Sequence, residues 1–381
     1  IDERSEVLYI ALLFGFKQFS ENAFCHRKSF VICGKLLKVY QPLGYLYITK
    51  GKEKRVKVCF TGGGTGGHVF PAFAVDAELK VLVGGDYERF WIGSGSPQER
   101  QWVEQEQIPY YSIKSGKLRR YFSWQTFPDL FNIVVGLFQA LKILKKERPD
   151  ILFSKGGYVS VPPVVAARLL KIPSITHESD ALPGLATRLN SLFVDKVCIP
   201  FEGAEGKLPP KKVVVTGVPT RLSLERAQTN KPPEGSQKRV VVLGGSQGAQ
   251  QINTLIWDNL ERLLPLCEVF HQTGSGKLIP LEREGYHPFP FLYDELEEVL
   301  HSAALVISRS GATALADFLE LEKPMILIPL NLQASRGDQV ANAERLESAG
   351  AAIIISGDDG DELIQAVTTV LNEEKFRETM I

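Results

Sequence analysis

Two doubly wound α/β domains facing each other across a cleft are what this sequence predicts, and three observations carry that expectation. From Arg55 onward, short Val/Ile/Leu-rich runs alternate with longer amphipathic segments. Continuous apolar runs spaced by helices are the mark of βαβ units, in which helices cover a parallel sheet on both faces. The pattern then restarts. Val56–Phe60 opens into Gly62-Gly63-Gly64-Thr65-Gly66-Gly67, and Val240–Leu243 opens into Gly244-Gly245-Ser246-Gln247-Gly248. Finally, 381 residues exceed one domain of ordinary size.

The first half reads as strands at Val56–Phe60, Arg89–Ile92, Ile151–Phe153, Ser174–Thr176 and Val213–Val215, with helices at Phe131–Lys146 and Val161–Leu170. The second reads as strands at Val240–Leu243, Val269–His271, Leu305–Ile307, Met325–Ile328 and Ala352–Ile355, with helices at Thr254–Leu264 and Gln339–Ser348. Between them, Thr216-Gly217-Val218-Pro219-Thr220-Arg221 and the polar Asn230–Lys238 form a junction. The expected organisation is therefore an extension over 1–53, one domain over 54–221 and another over 222–381. Within the extension, Val7–Phe16 is as long as a signal-peptide core. Asp2 and Glu3 precede it, however, where a signal carries basic residues. No role is assigned to it.

Lys+Arg and Asp+Glu both number 44, which argues against a nucleic-acid partner. The five cysteines form no CxxC pair, so a reducing compartment and no structural zinc are expected; no cofactor is expected. The longest apolar stretch, Phe127–Leu144, is broken by Asp129, Asn132, Gln139 and Lys142. A membrane-spanning helix needs about 18 uninterrupted residues.

Folds of this class bind ligands at the carboxyl ends of their strands, which directs attention to the loops there. Gly62, Gly64 and Gly67 match a dinucleotide fingerprint, but the second strand ends Trp91-Ile92-Gly93-Ser94 without the acid that would hold a ribose. It is no Walker loop either, because His68 stands where the lysine belongs. What remains is backbone that an anion or sugar can approach closely. His68 follows directly, at a helix start. An imidazole has an unperturbed pKa of about 6.5 and can take a proton from a hydroxyl; capping the helix or touching a phosphate is the other role open to it. Gly244–Ala249 offers amides and the Ser246 hydroxyl to a diphosphate. Ser308–Thr313 opens another helix, with Asp317 one turn inside, either holding ribose hydroxyls or simply solvated. Gly156-Gly157-Tyr158-Val159-Ser160 and His177-Glu178-Ser179-Asp180 end successive strands, and His177 also suits a hydrogen-bonded place beneath the cleft. Lys117, Arg119 and Arg120 precede Tyr121, Phe122, Trp124 and Phe127, and Lys142, Lys145 and Lys146 close the helix that follows. That rim suits anionic lipid, or is an ordinary amphipathic helix behind an aromatic loop.

In order, GGGTGGH (Gly62–His68), GGYVS (Gly156–Ser160), His177-Glu178, Gly217–Arg221, GGSQGA (Gly244–Ala249), Arg309-Ser310-Gly311-Ala312, Asp338-Gln339 and Asn342-Ala343 closely resemble the MurG family from Arg55 to the C-terminus. The resemblance implies a GT-B fold, with no metal, and transfer of N-acetylglucosamine from UDP-N-acetylglucosamine to the lipid-linked acceptor lipid I with inversion. It implies a peripheral enzyme at the cytoplasmic leaflet of the bacterial inner membrane. By the same resemblance, Thr65, Gly66, Gly67, Asp180, Arg221, Ser246, Tyr293 (through its backbone), Ala312, Thr313, Ala314, Leu315, Ala316, Asp317 and Gln339 contact the donor. Tyr158, Lys117, Arg119, Arg120, Phe122 and Trp124 serve acceptor and membrane, and the base is His68, with Glu178 second.

This sequence departs from the family in three places. His-Glu-Gln-Asn is usual where His177-Glu178-Ser179-Asp180 stands, Glu where Asp317 stands, and Gln-Gln where Asp338-Gln339 stands. The family's final helix is expected beyond Ile381. Three competing readings are a UDP-N-acetylglucosamine 2-epimerase or other UDP-sugar enzyme, a nicotinamide dehydrogenase, and a membrane-docked module without catalysis. The aromatic-basic segment argues against the first, and the missing strand-tip acid against the second.

Overall fold

The computed structural model describes residues 55–116, 126–220, 222, 237–279, 281–293, 295–330 and 337–380. Two all-parallel sheets organise them. The first contains β1 (Val56–Thr61), β2 (Tyr87–Gly93), β3 (Tyr110–Ser112), β4 (Ile151–Ser154), β5 (Ser174–His177), β6 (Lys196–Ile199) and β7 (Val213–Val215). Its order is β3-β2-β1-β4-β5-β6-β7. Helices α1 (Gly66–Val83), α2 (Pro97–Gln105), α3 (Thr126–Glu147), α4 (Val161–Leu169) and α5 (Leu185–Phe193) connect its strands. The second sheet contains β8 (Arg239–Leu243), β9 (Glu268–Gln272), β10 (Tyr286–Phe289), β11 (Ala303–Ser308), β12 (Met325–Leu327) and β13 (Ala352–Ile354), in the order β10-β9-β8-β11-β12-β13. Its helices are α6 (Gln250–Asp258), α7 (Leu260–Leu263), α8 (Leu296–Ser302), α9 (Ala312–Glu320), α10 (Asp338–Ser348), α11 (Gly360–Asn372) and α12 (Glu374–Thr379).

Each sheet is apolar on both faces. Phe60, Trp91 and Phe153 pack on one side of the first, and Cys59, Ile92 and Leu152 on the other. Chain order reverses beside β1 and beside β8, which makes their carboxyl ends the two switch points where ligands of such sheets bind. Both glycine loops lie there. The helix expected over Thr254–Leu264 is instead two, α6 and α7. Asn259 breaks it: its side chain donates to Leu255 O at 2.9 Å, capturing a carbonyl of the preceding turn.

Two buried histidines make the fold acid-sensitive. Burial holds His271 at about 4, where Asn253 and Tyr286 take its ring nitrogens. His177 is lowered in the same direction by burial and then by the Lys155 charge. Because the folded pKa lies below the unfolded one, their stabilisation is complete above pH 6.5 and is lost as pH falls toward the folded value. Between pH 7 and 5, His271 alone removes about 2 kcal/mol. Urea unfolding at the two pH values measures this, and His271→Gln flattens the dependence.

Candidate active site

The loop after β1 and the loop after β8 meet across the gap between the sheets. A Cβ on Gly66 would stand 3.3 Å from Ser246 Cβ and 2.7 Å from the Phe70 ring, so only glycine lets these loops approach. Beside it, Thr313 Oγ1 at the start of α9 donates to Gly67 O at 3.4 Å. Gly66, Gly67, Ser246 and Thr313 are thus brought together from three loops, with Thr65 exposed at the rim. The first turns of α1 and α9 point amides at this place, and such N–H groups have no intrahelical partner.

His68 lies on α1 with Nδ1 3.3 Å from Lys155 O. A carbonyl only accepts, so Nδ1 carries the proton and Nε2 is the basic nitrogen. Glu178, the alternative base, is placed differently. Its Oε1 accepts from Ser179 N (2.9 Å) and Asp180 N (3.2 Å), and its Oε2 from Gly184 N (2.9 Å) and Thr187 Oγ1 (2.7 Å). Burial pushes its pKa up, but the Lys155 ammonium and these donors outweigh that and leave it below the ordinary carboxylate range. A carboxylate so engaged fastens the 178–187 turn and is a poor proton acceptor. His177 is buried and neutral, donating from Nε2 to Gly217 O at 2.8 Å.

Around the second loop, Lys277 Nζ donates to Gln247 O (3.0 Å) and Gly248 O (3.1 Å), and Gln272 Nε2 to Gly245 O (3.0 Å). These bonds engage the carbonyls of Gly245, Gln247 and Gly248 with side chains of the same half. Arg309 is buried and faces inward, its Nη1 donating to Gln251 Oε1 and Ile328 O, each at 3.0 Å. Asp317 accepts from the Thr220 hydroxyl, which ties the junction to α9. Gln339 receives Leu330 N at 3.1 Å through Oε1 and Ser310 Oγ at 2.7 Å through its backbone carbonyl. Asn342 accepts from Ala181 N at 3.2 Å, another bond between the two halves. Tyr293, to which the resemblance gives a backbone role, has its N–H 3.4 Å from Glu295 Oε2, and its hydroxyl donates to Glu106 Oε1 at 3.2 Å across the gap. Ala312, Ala314, Leu315 and Ala316 form the first turns of α9, with Leu315 buried.

Tyr158 follows Gly156-Gly157, its ring edge 3.3 Å from where a Gly64 Cβ would be. Asp180 stands at the tip of the next strand, half-buried. Lys117, Arg119, Arg120, Phe122, Trp124 and Arg221 lie outside the described residues. The helix that follows the basic segment is described, and it exposes Leu130, Phe131, Val134 and Phe138 along one side, with Phe131 66% and Phe138 67% accessible. No helix among the described residues is long and apolar enough to cross a membrane.

Residues 58–199 match the glycosyltransferase family 28 N-terminal domain, and residues 239–381 match its C-terminal domain. The chain belongs to glycosyltransferase family 28. A relative from Clostridium botulinum, named UDP-N-acetylglucosamine–N-acetylmuramyl-(pentapeptide) pyrophosphoryl-undecaprenol N-acetylglucosamine transferase, is 41% identical over 312 residues, 80% of this chain and 86% of the relative. Acinetobacter baumannii MurG superimposes with a TM-score of 0.62 at 26% identity, over 85% of this chain and 93% of that one. The UDP-GlcNAc 2-epimerase of Neisseria meningitidis, at 16% identity and TM-score 0.58 over 85% and 94%, shares the fold alone. The GT-B expectation holds, and the family 28 likeness extends through both glycine loops.

Four residues about the site escape a reading of sequence. Lys277 and Gln272 come from the far end of β9 and beyond, and nothing in their spacing points to the second loop. Lys155 is buried behind His68. Glu99 sits in a Ser96-Pro97-Gln98-Glu99 pattern that reads as an ordinary helix start.

Proposed function

We propose that this glycosyltransferase moves N-acetylglucosamine from UDP-N-acetylglucosamine to the 4-hydroxyl of the N-acetylmuramoyl unit of lipid I, forming lipid II for peptidoglycan. The observation that carries this reading is the convergence of Gly66 and Gly67 with Ser246 and Thr313, and the Clostridium relative's name supplies the substrates. In this reading residues 222–381 hold the donor and residues 54–221 the acceptor. Ser246 and the amides of its loop take the diphosphate; Asp317 and Gln339 take ribose and sugar hydroxyls. The acceptor oxygen attacks the anomeric carbon as the bond to UDP breaks, and the bonding pair leaves on the β-phosphate oxygen. His68 Nε2 receives the hydroxyl proton. Amides at two helix starts stabilise the departing charge, a task that otherwise falls to a metal ion.

Incubation with UDP-N-acetylglucosamine and a lipid I analogue is the test. UDP release depends on the acceptor and survives EDTA. Release without acceptor points to an epimerase-type reaction, and release that needs a chelatable metal overturns the mechanism.

We place the acceptor side on the cytoplasmic leaflet. The exposed stripe of Leu130, Phe131, Val134 and Phe138 runs toward exposed Lys142, Lys145 and Lys146, an apolar face with a cationic end. Burying one phenylalanine contributes about 1.5–3 kcal/mol. The double change Phe131→Ser, Phe138→Ser therefore weakens sedimentation with anionic vesicles at least about tenfold, while transfer to a short-chain soluble acceptor stays at the parent rate.

A further inference from the structure

Glu99 is an acid whose surroundings a helix start does not explain. It is the third residue of α2, and its N–H donates to the Ser96 cap at 3.3 Å. In a capping box the glutamate returns to the cap's own N–H. Here Ser96 N is served by Ser94 Oγ at 3.2 Å, and the Glu99 carboxylate is turned inward, 2% exposed, beneath the first glycine loop. Oε1 accepts from Trp91 Nε1, Ser94 N and Tyr110 OH, each at 3.1 Å. Oε2 accepts from Gly64 N at 3.3 Å and from the Ser94 hydroxyl. The carboxylate also fills the volume that side chains at 63 and 93 would need: a Cβ on Gly63 would lie 2.4 Å from Oε2, and one on Gly93 1.8 Å from Oε1. Both glycines therefore make room for this group, whatever ligand the loop holds.

We propose that Glu99 is a positioning residue for transfer: by holding the Gly64 amide inward it fixes the loop that presents Gly66, Gly67 and His68 to the cleft. This rests on the reading of that loop as part of the transferase site. The Gly64 N–H is committed to the protein, so the amides at the start of α1 are the ones turned to the substrate. The site needs a carboxylate. Each oxygen faces at least one backbone or indole N–H, which cannot reverse, so a carboxamide would set donor against donor in either orientation.

The test compares Glu99→Gln with Glu104→Gln, the same chemical change at an exposed place on the same helix. Glu99→Gln lowers kcat about tenfold or more, as loops displaced by a fraction of an ångström do, while calorimetric affinity for UDP stays within about twofold because the donor rests on the other half. Amide exchange at Gly64 speeds up, and that at Val58–Phe60 in β1 does not. Glu104→Gln matches the parent in every readout. Gly63→Ala, which pushes on the same carboxylate from the loop side, reproduces the kcat loss and decides the matter should Glu99→Gln not fold. Parent-like kcat and Gly64 exchange in Glu99→Gln overturn the proposal. So does a loss of UDP affinity and thermal stability in step with kcat, which marks general damage. If the parent itself shows no acceptor-dependent release, the transferase reading fails, and Gly64 exchange still reports whether Glu99 holds the loop.

Discussion

His68→Ala lowers kcat for acceptor-dependent UDP release by about 10²–10⁴, the usual worth of a positioned general base, and leaves UDP affinity within about twofold. The split follows from where the ring is held. Its Nδ1 is fixed on Lys155 O at 3.3 Å, on the β1–β4 side of the gap, whereas Ser246, Lys277 and α9 belong to the other sheet. Removing the ring takes away a proton acceptor without touching those groups. Glu178→Gln has a different signature. The amide opposes its own N–H to those of Ser179, Asp180 or Gly184, leaving a buried donor unsatisfied at about 1–3 kcal/mol. Its loss is expected first in thermal stability, with kcat falling as the 178–187 turn loosens. Stopped-flow or coupled assays of both variants, beside their melting curves, separate the two residues. A His68→Ala enzyme at the parent rate removes the imidazole from the mechanism.

The sheets were legible because their strands are buried on both faces and so appear as unbroken Val/Ile/Leu runs, as Val240–Leu243 and Ile151–Phe153 do. Three strands escaped for reasons particular to each. Tyr110–Ser112 is a three-residue edge strand that pairs with β2 alone. Lys196–Ile199 is short and opens on a charge. Tyr286–Phe289 contains Pro288, which argues against a strand unless it lies at an edge, where β10 does lie. The glycine loops were legible as ligand loops, but their glycines answer to different neighbours. Gly66 is demanded by the facing loop, and Gly63 and Gly93 by a buried carboxylate. The acid missing from the tip of β2 has a counterpart from outside that strand: Glu99 enters from α2 and accepts from the Ser94 amide, aimed at the loop backbone and not at a ribose. Long-range side chains of this kind leave no local pattern. Arg309 shows the converse, a residue in a matching motif whose guanidinium the fold uses inside.

Gly248→Ala is expected to abolish most of the affinity for UDP, at least about tenfold, and the neighbouring Gly245→Ala to cost far less. Both glycines have positive φ, +86° at Gly245 and +69° at Gly248. An alanine in that region costs about 1–2 kcal/mol from its Cβ alone. At Gly245 nothing lies within 4 Å of the added carbon, so this backbone term is the whole expense. At Gly248 the carbon would stand 2.0 Å from Thr273 O and 2.7 Å from Gly274 Cα. Thr273 is held on both sides. Thr273 O accepts from Asn253 Nδ2 at 2.8 Å, and Thr273 N donates to Phe289 O at 2.9 Å. The loop must move instead, which breaks the Lys277 bonds to Gln247 O and Gly248 O and swings Ser246 away from Gly66. Calorimetry with UDP on both variants, with melting curves to confirm that the fold persists, reads the difference directly. Equal and parent-like affinities would mean that the diphosphate is held somewhere other than this loop, and the assignment of residues 222–381 to the donor would fall with it.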